Sequence, residues 1–101
     1  MAEPTMLGYC RLDVGDPEAT LEAISRLATE RGYKLGRIFE EEAHDEEHSP
    51  VPPEFADLLE AASAPEVAAV AIPDGHLRPA WVSVLAKRTG VLIETIEGAR
   101  A

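Results

Sequence analysis

Two arginines and two aspartates close to predicted strand ends are the side chains best placed to bind a ligand. Arg11 and Asp13 end the first apolar run, and Asp74 and Arg78 follow a later one. Parallel sheets bind ligands outside the carboxyl ends of their strands, where these four residues, the strand-end cluster, would lie. The cluster could hold a small anion or a metal-bound ligand. An ion-pair network that only fixes the strand ends is the favoured interpretation, because such pairs commonly occur without catalysis.

Histidine and cysteine offer further candidates for chemistry. His44 and His48 have the spacing that places two side chains on one helix face toward a metal ion. Acidic residues separate them and prolines follow, so a solvated loop is favoured, with weak divalent-cation binding as the alternative. His76 lies on a turn and is expected to be exposed, whereas Cys10 is expected to be buried in a strand as a small hydrophobe. We predict no metal and no cofactor.

Composition limits the classes of protein that this chain can belong to. Its 101 residues suffice for one domain, and 46% apolar with 28% charged residues exclude wholesale disorder. Nineteen acidic and nine basic residues give a net charge of −10, which leaves few cations for a face that binds DNA or an anionic membrane. There is no apolar stretch of roughly 20 residues and no signal-peptide pattern, and one cysteine suits a reducing compartment. We expect a soluble, cytoplasmic domain.

Hydrophobic patterning predicts the elements that position the cluster. Apolar runs indicate four strands, and apolar stripes at three-to-four-residue spacing indicate three helices. The strands are expected at residues 6–12, 34–40, 67–72 and 91–96, and the helices at 17–31, 53–63 and 78–89. Asp16 is a suitable N-cap for the first helix, and Gly32 a suitable end. Residues of about 40–52 are expected to form a mobile acidic loop, and residues 97–101 a short tail.

Strands and helices alternate along the chain with short connections. This order predicts right-handed crossovers and a parallel sheet with helices on both faces. We therefore predict that residues 1–101 form a single doubly wound α/β domain with about four parallel strands.

Several short motifs follow one another in a recognisable order. They are Gly8-Tyr9-Cys10-Arg11-Leu12, a capped helix, Glu30-Arg31-Gly32-Tyr33, Phe39-Glu40, a loop, Leu58-Leu59-Glu60-Ala61-Ala62, and Val67 to Asp74. This order resembles the N-terminal catalytic domain of serine recombinases, the resolvase/invertase group, over Met6 to about Ile96. The resemblance implies a resolvase-like fold.

The resemblance also implies which residues would carry the family's chemistry. In that family a serine two residues after the first-strand arginine attacks a DNA phosphate, and an arginine cluster stabilises the developing charge. Arg11 matches the first-strand arginine, but Asp13 occupies the nucleophile position. A carboxylate repels the phosphodiester and has no hydroxyl to form the covalent serine–DNA link.

Further parts of the family's pattern are also replaced. Pro52 falls about where the family has an arginine before its second helix, and Gly75 replaces the arginine directly after the strand-end aspartate. Asp74 and Arg78 match the remaining positions of that motif. The family's dimerisation helix and DNA-binding domain would follow the last strand, beyond Ala101. We therefore expect a degenerate and truncated homologue that is not an enzyme.

These observations favour a protein-binding or regulatory module without recombinase activity. Acidic residues of the loop would attract a basic protein, for example a DNA-binding protein, whereas direct binding of DNA or membranes is not expected. The residues that we expect to meet this partner are Glu40, Glu41, Glu42, Asp45, Glu46 and Glu47. The alternative is an enzyme or binding protein that uses the strand-end cluster for a small anion or a metal ligand. A third possibility is a vestigial protein without a selected function.

Overall fold

The strands pair as the alternation of elements predicts. The computed structural model describes residues 3–43 and 51–96. Its elements are β1 (Thr5–Arg11), α1 (Pro17–Arg31), β2 (Lys34–Glu41), α2 (Pro53–Ala61), β3 (Val67–Pro73), α3 (Pro79–Thr89) and β4 (Leu92–Ile96). Every described strand pair is parallel, and the strand order is β2-β1-β3-β4. The predicted four-stranded α/β fold is confirmed, and no helix within these two segments is long and apolar enough to cross a membrane.

Helices cover both faces of the sheet. On one face Ile24 of α1 shares a core cluster with Met6 of β1. On the other face Phe55 of α2 and Leu85 of α3 share a second cluster with Tyr9 of β1. The chain runs from β1 to β2 on one side and then returns to β3 on the other, so β1 and β3 border the topological switch point. Ligands of doubly wound sheets bind at the carboxyl ends of the strands at this point.

Local signals in the sequence set both ends of α1. The Asp16 carboxylate accepts a hydrogen bond from the Glu18 backbone N–H at 3.1 Å, and Pro17 is the first helical residue. Gly32 ends the helix in the left-handed conformation, with a φ of 77°. The predicted caps of this helix are therefore confirmed.

The end of β2 differs from the prediction. The sequence predicts a strand that ends at Glu40 and a loop that begins at about the same residue, but β2 continues through Glu41, where Cys10 pairs with Glu40 and Arg11 pairs with Glu41. The prediction that Glu41 belongs to a partner-binding surface is wrong, because only 3% of this residue is exposed. Glu40 and Glu42 are exposed. The predicted positions at 44–50 and 97–101 lie outside the described residues.

Buried Glu41 holds the start of α2. Its Oε1 accepts hydrogen bonds from the backbone N–H groups of Glu54 and Phe55, both at 3.1 Å, and from the Tyr9 hydroxyl at 3.1 Å. Pro52 stands at the N-cap of α2 and supplies no side-chain cap. A residue from the neighbouring strand therefore satisfies N–H groups that the helix itself leaves without acceptors. Burial, together with the charge of Glu41, raises the pKa of Tyr9 above its usual range.

We predict that Glu41→Ala lowers the free energy of unfolding by about 3 kcal/mol, because it leaves two N–H groups and a buried hydroxyl without their acceptor. The matched control Glu40→Ala removes an exposed carboxylate from the adjacent residue, and we expect a change within about 0.5 kcal/mol. Urea unfolding followed by circular dichroism measures both values. Equal losses in the two variants would contradict the capping role of Glu41.

Candidate functional site

The carboxyl ends of β1 and β3 are joined by a histidine side chain. The described pairing of β1 with β3 ends at Gly8 and Ala71, before Arg11 is reached. Beyond it, Nδ1 of His76 accepts a hydrogen bond from the Arg11 backbone N–H at 2.9 Å. The turn after β3 that carries His76 is itself closed by a bond from the His76 N–H to the Pro73 carbonyl at 3.1 Å. The imidazole thus replaces a backbone acceptor at the switch point.

His76 is buried, contrary to the prediction from its place on a turn, and only 2% of it is exposed. Because Nδ1 accepts a hydrogen bond, the neutral ring carries its proton on Nε2. Burial lowers the pKa of His76, the charge of Arg11 lowers it further, and Asp13 opposes both effects. No local pattern of residues indicates this burial, because the partner of His76 lies on a strand that is distant in sequence.

Arg11 and Asp13 form a two-pronged ion pair. Nε of Arg11 donates to Oδ1 of Asp13 at 3.0 Å, and Nη2 donates to Oδ2 at 2.9 Å. The hydrogen bond from Arg11 holds the pKa of the Asp13 carboxyl below its usual value. One donor edge of the guanidinium is therefore occupied, and its charge is balanced by a carboxylate within hydrogen-bond distance.

The other half of the strand-end cluster lies toward β4. The backbone N–H of Asp74 donates to the Ile96 carbonyl at 2.7 Å, and the exposed Asp74 borders a cavity beside α3. Arg78 precedes α3 and is exposed, and its carbonyl accepts from the N–H of Trp81 at 2.9 Å. The structure thus brings Arg11 and Asp13 together as the sequence suggests, adds His76 to them, and directs Asp74 to a different neighbourhood.

Two further residues, Cys10 and Trp81, pack inside the fold. Cys10 is fully buried as predicted, and burial raises the pKa of its thiol to about 11, which keeps it in the unreactive protonated form at neutral pH. Trp81 is half-buried and lies beside Phe55, with 5.3 Å between the ring centroids. Residues 3–43 and 51–96 contain no group of three histidine, cysteine or acidic side chains that could hold a metal ion. His44 and His48 lie outside these ranges.

The fold is that of a serine recombinase catalytic domain, as the order of motifs predicts. A solved structure, the C-terminal catalytic domain of ISC1926 TnpA, an IS607-like serine recombinase, matches with a TM-score of 0.71. The match covers 93% of this chain and 71% of that chain, at 18% sequence identity. At this identity the similarity shows the fold alone. No protein-family model and no curated protein matches the sequence.

We predict that His76 makes stability fall as the solution becomes more acidic. The unfolded histidine binds a proton near pH 6.5, whereas the folded one has a lower pKa, so stability is lost as pH falls from about 7 through 6.5 toward the folded pKa. His76→Asn retains an oxygen that can accept from the Arg11 N–H and cannot titrate in this range. Urea unfolding at pH 7.5, 6.5 and 5.5 should show a shallower decline for His76→Asn. Parallel profiles would contradict a neutral His76 acceptor.

Proposed function

We propose that this chain is a recombinase-fold domain that performs no DNA strand exchange and acts by binding a basic protein partner. The observation that carries the first half is the ion pair of Arg11 with Asp13, at 2.9 and 3.0 Å. Asp13 stands at the position that the resemblance assigns to the nucleophilic serine. The substitution therefore removes the hydroxyl and also occupies the neighbouring arginine.

The ion pair opposes phosphate binding for two physical reasons. Arginine recognises phosphate through two parallel N–H donors, and Asp13 already accepts from two donors of Arg11. A phosphodiester in this place would also meet the negative charge of Asp13. His76, which lies against the Arg11 backbone, has a lowered pKa and adds no positive charge at neutral pH. The result is a strand end with the recombinase shape but without its cationic character.

Charge supports the second half of the proposal. The chain has a net charge of −10, and Glu40 and Glu42 are exposed at the end of β2 on either side of buried Glu41. Three further carboxylates, at residues 45–47, follow within the same stretch of sequence. A potential of one sign attracts partners of the opposite sign and raises their association rate. A basic protein is the class of partner that this surface would select.

Neutralising Asp13 should restore phosphate binding. We predict that the wild-type chain shows no saturable binding of a thymidine dinucleotide in an NMR titration that follows the Arg11 Nε–H signal. Asp13→Asn and Asp13→Ser should both bind it in the millimolar range, because each removes the negative charge of Asp13 that repels the phosphate. Equal gains in the two variants would show that charge, not the hydroxyl, controls binding. A wild-type chain that binds as tightly as Asp13→Asn, or that forms a covalent DNA adduct, would contradict the proposal.

The acidic surface can be tested without disturbing the fold, provided Glu41 is kept. One variant combines Glu40→Gln and Glu42→Gln with neutralisation of Asp45, Glu46 and Glu47. The control neutralises five acidic residues elsewhere on the surface, namely Glu3, Glu30, Asp57, Glu60 and Glu66, all of which are exposed. Both variants therefore have the same net charge.

We predict that the wild-type chain and the control capture the same stoichiometric partner from lysate of the source cell. The loop variant should retain about tenfold less of it, because only this variant loses the local negative potential. Quantitative affinity capture at two salt concentrations measures the difference. Equal retention by loop variant and control, or no captured partner at all, would overturn the binding half of the proposal and leave the dinucleotide result unaffected.

A further inference from the structure

A cavity of about 370 Å³ lies between α3 and the carboxyl ends of β3 and β4, on the sheet face that α2 and α3 cover. Its volume falls in the range of small-molecule sites in proteins. Apolar side chains form most of its wall: Ile72 and Leu77 on the β3 side, Val82 and Ala86 on α3, and Ile93 on β4. The cavity is distinct from the ion pair of Arg11 and Asp13, neither of which lines it.

The large side chains of α3 do not line the cavity. Leu85 is fully buried in the core, and Trp81 lies beside Phe55 of α2. The side chains that α3 presents to the cavity are smaller and include Ser83 and Ala86. The lining side chains of Leu77, Val82 and Ile93 are therefore only half-buried. An apolar ligand in the cavity would remove the rest of their surface from water.

Three polar side chains at the cavity have unused hydrogen-bonding capacity. Asp74, Ser83 and Thr95 line it, and within the described part of the chain none of their side chains forms a hydrogen bond or ion pair. Asp74 is the charged residue among the lining residues, so the cavity combines an apolar wall with one negative group. A concave apolar surface with a few polar groups around it is the usual composition of a ligand site.

The backbone fixes Asp74 at this position. Its N–H donates to the Ile96 carbonyl of β4 at 2.7 Å, and the next hydrogen bond of the turn runs from the His76 N–H to Pro73 at 3.1 Å. Gly75 provides the left-handed residue of this turn, with a φ of 83°. The Asp74 side chain therefore extends from a backbone position that is already fixed, so only its side-chain torsions remain to be ordered when a ligand binds.

We infer that this cavity binds a small amine with a compact apolar or aromatic body. The body occupies the space between α3 and the sheet, and the ammonium group pairs with Asp74. Ser83 and Thr95 offer hydroxyl oxygens that can accept from the remaining ammonium protons or from a polar atom on the body. The net charge of −10 disfavours an anionic ligand of the same shape. This inference is independent of the protein partner proposed above.

The test is an NMR titration of the full chain with three ligands of similar shape: tryptamine, 3-ethylindole and indole-3-propionate. Tryptamine is expected to give saturable shifts of the Leu77, Val82 and Ile93 methyl signals. We expect binding about three- to fivefold weaker for the uncharged ligand, because Asp74 is exposed, and weaker still for the acid.

Two variants separate the cavity from general attraction of cations to an acidic protein. Asp74→Asn removes the carboxylate at the cavity, and Glu66→Gln removes an exposed carboxylate away from it. Tryptamine should bind Asp74→Asn about three- to fivefold more weakly and Glu66→Gln as it binds the wild-type chain. Asp74 is exposed, so the variant is expected to fold, which circular dichroism checks. Absence of saturable shifts at these methyls, equal effects of the two variants, or equal binding of all three ligands would overturn the inference.

Discussion

The arrangement of the carboxyl edge of the sheet depends on two contacts of Arg11, one through its backbone and one through its side chain. Its backbone N–H is bound by His76 across the switch point, and its guanidinium is bound by Asp13. The two contacts are electrostatically compatible. A histidine that accepts a hydrogen bond must be neutral, and a neutral ring can lie beside an arginine without repulsion. The carboxylate of Asp13 then balances the charge of Arg11 within the same strand end.

Hydrophobic periodicity and local capping residues were sufficient to predict the strands, the helices and their parallel arrangement. The caps of α1 could be recognised because each partner lies within a few residues in sequence. Glu41 and His76 could not be recognised in this way. Six carboxylates between residues 40 and 48 look alike in the sequence, and the burial of Glu41 follows from the pairing of β2 with β1. His76 likewise meets Arg11 through a contact between residues 65 positions apart.

A shared fold does not by itself carry the chemistry of the proteins that share it. The domain is similar in fold to a solved recombinase catalytic domain, with a TM-score of 0.71 at 18% sequence identity. Strands and helices depend on apolar side chains, which tolerate exchange as long as volume and pattern are kept. The resemblance implies a serine where this chain has Asp13, and the proposed function rests on this one difference, because Asp13 has no hydroxyl and forms an ion pair with Arg11. Such a domain can keep its architecture while its surface acquires another use.

The hydrogen bonds of Glu41 to the start of α2 affect which changes of sequence this chain can accept during evolution. They tie the last residue of β2 to the first turn of α2, so the two ends of the intervening connection are fixed by the folded core and not by the connection itself. Lengthening a connection whose ends are already anchored is inexpensive, since each doubling adds only about 0.6 kcal/mol of closure entropy. The stability of the fold therefore constrains the length of the connection between residues 43 and 52 only weakly. Tyr9 and Glu41 are constrained more strongly, because they contact each other and Glu41 also binds the start of α2.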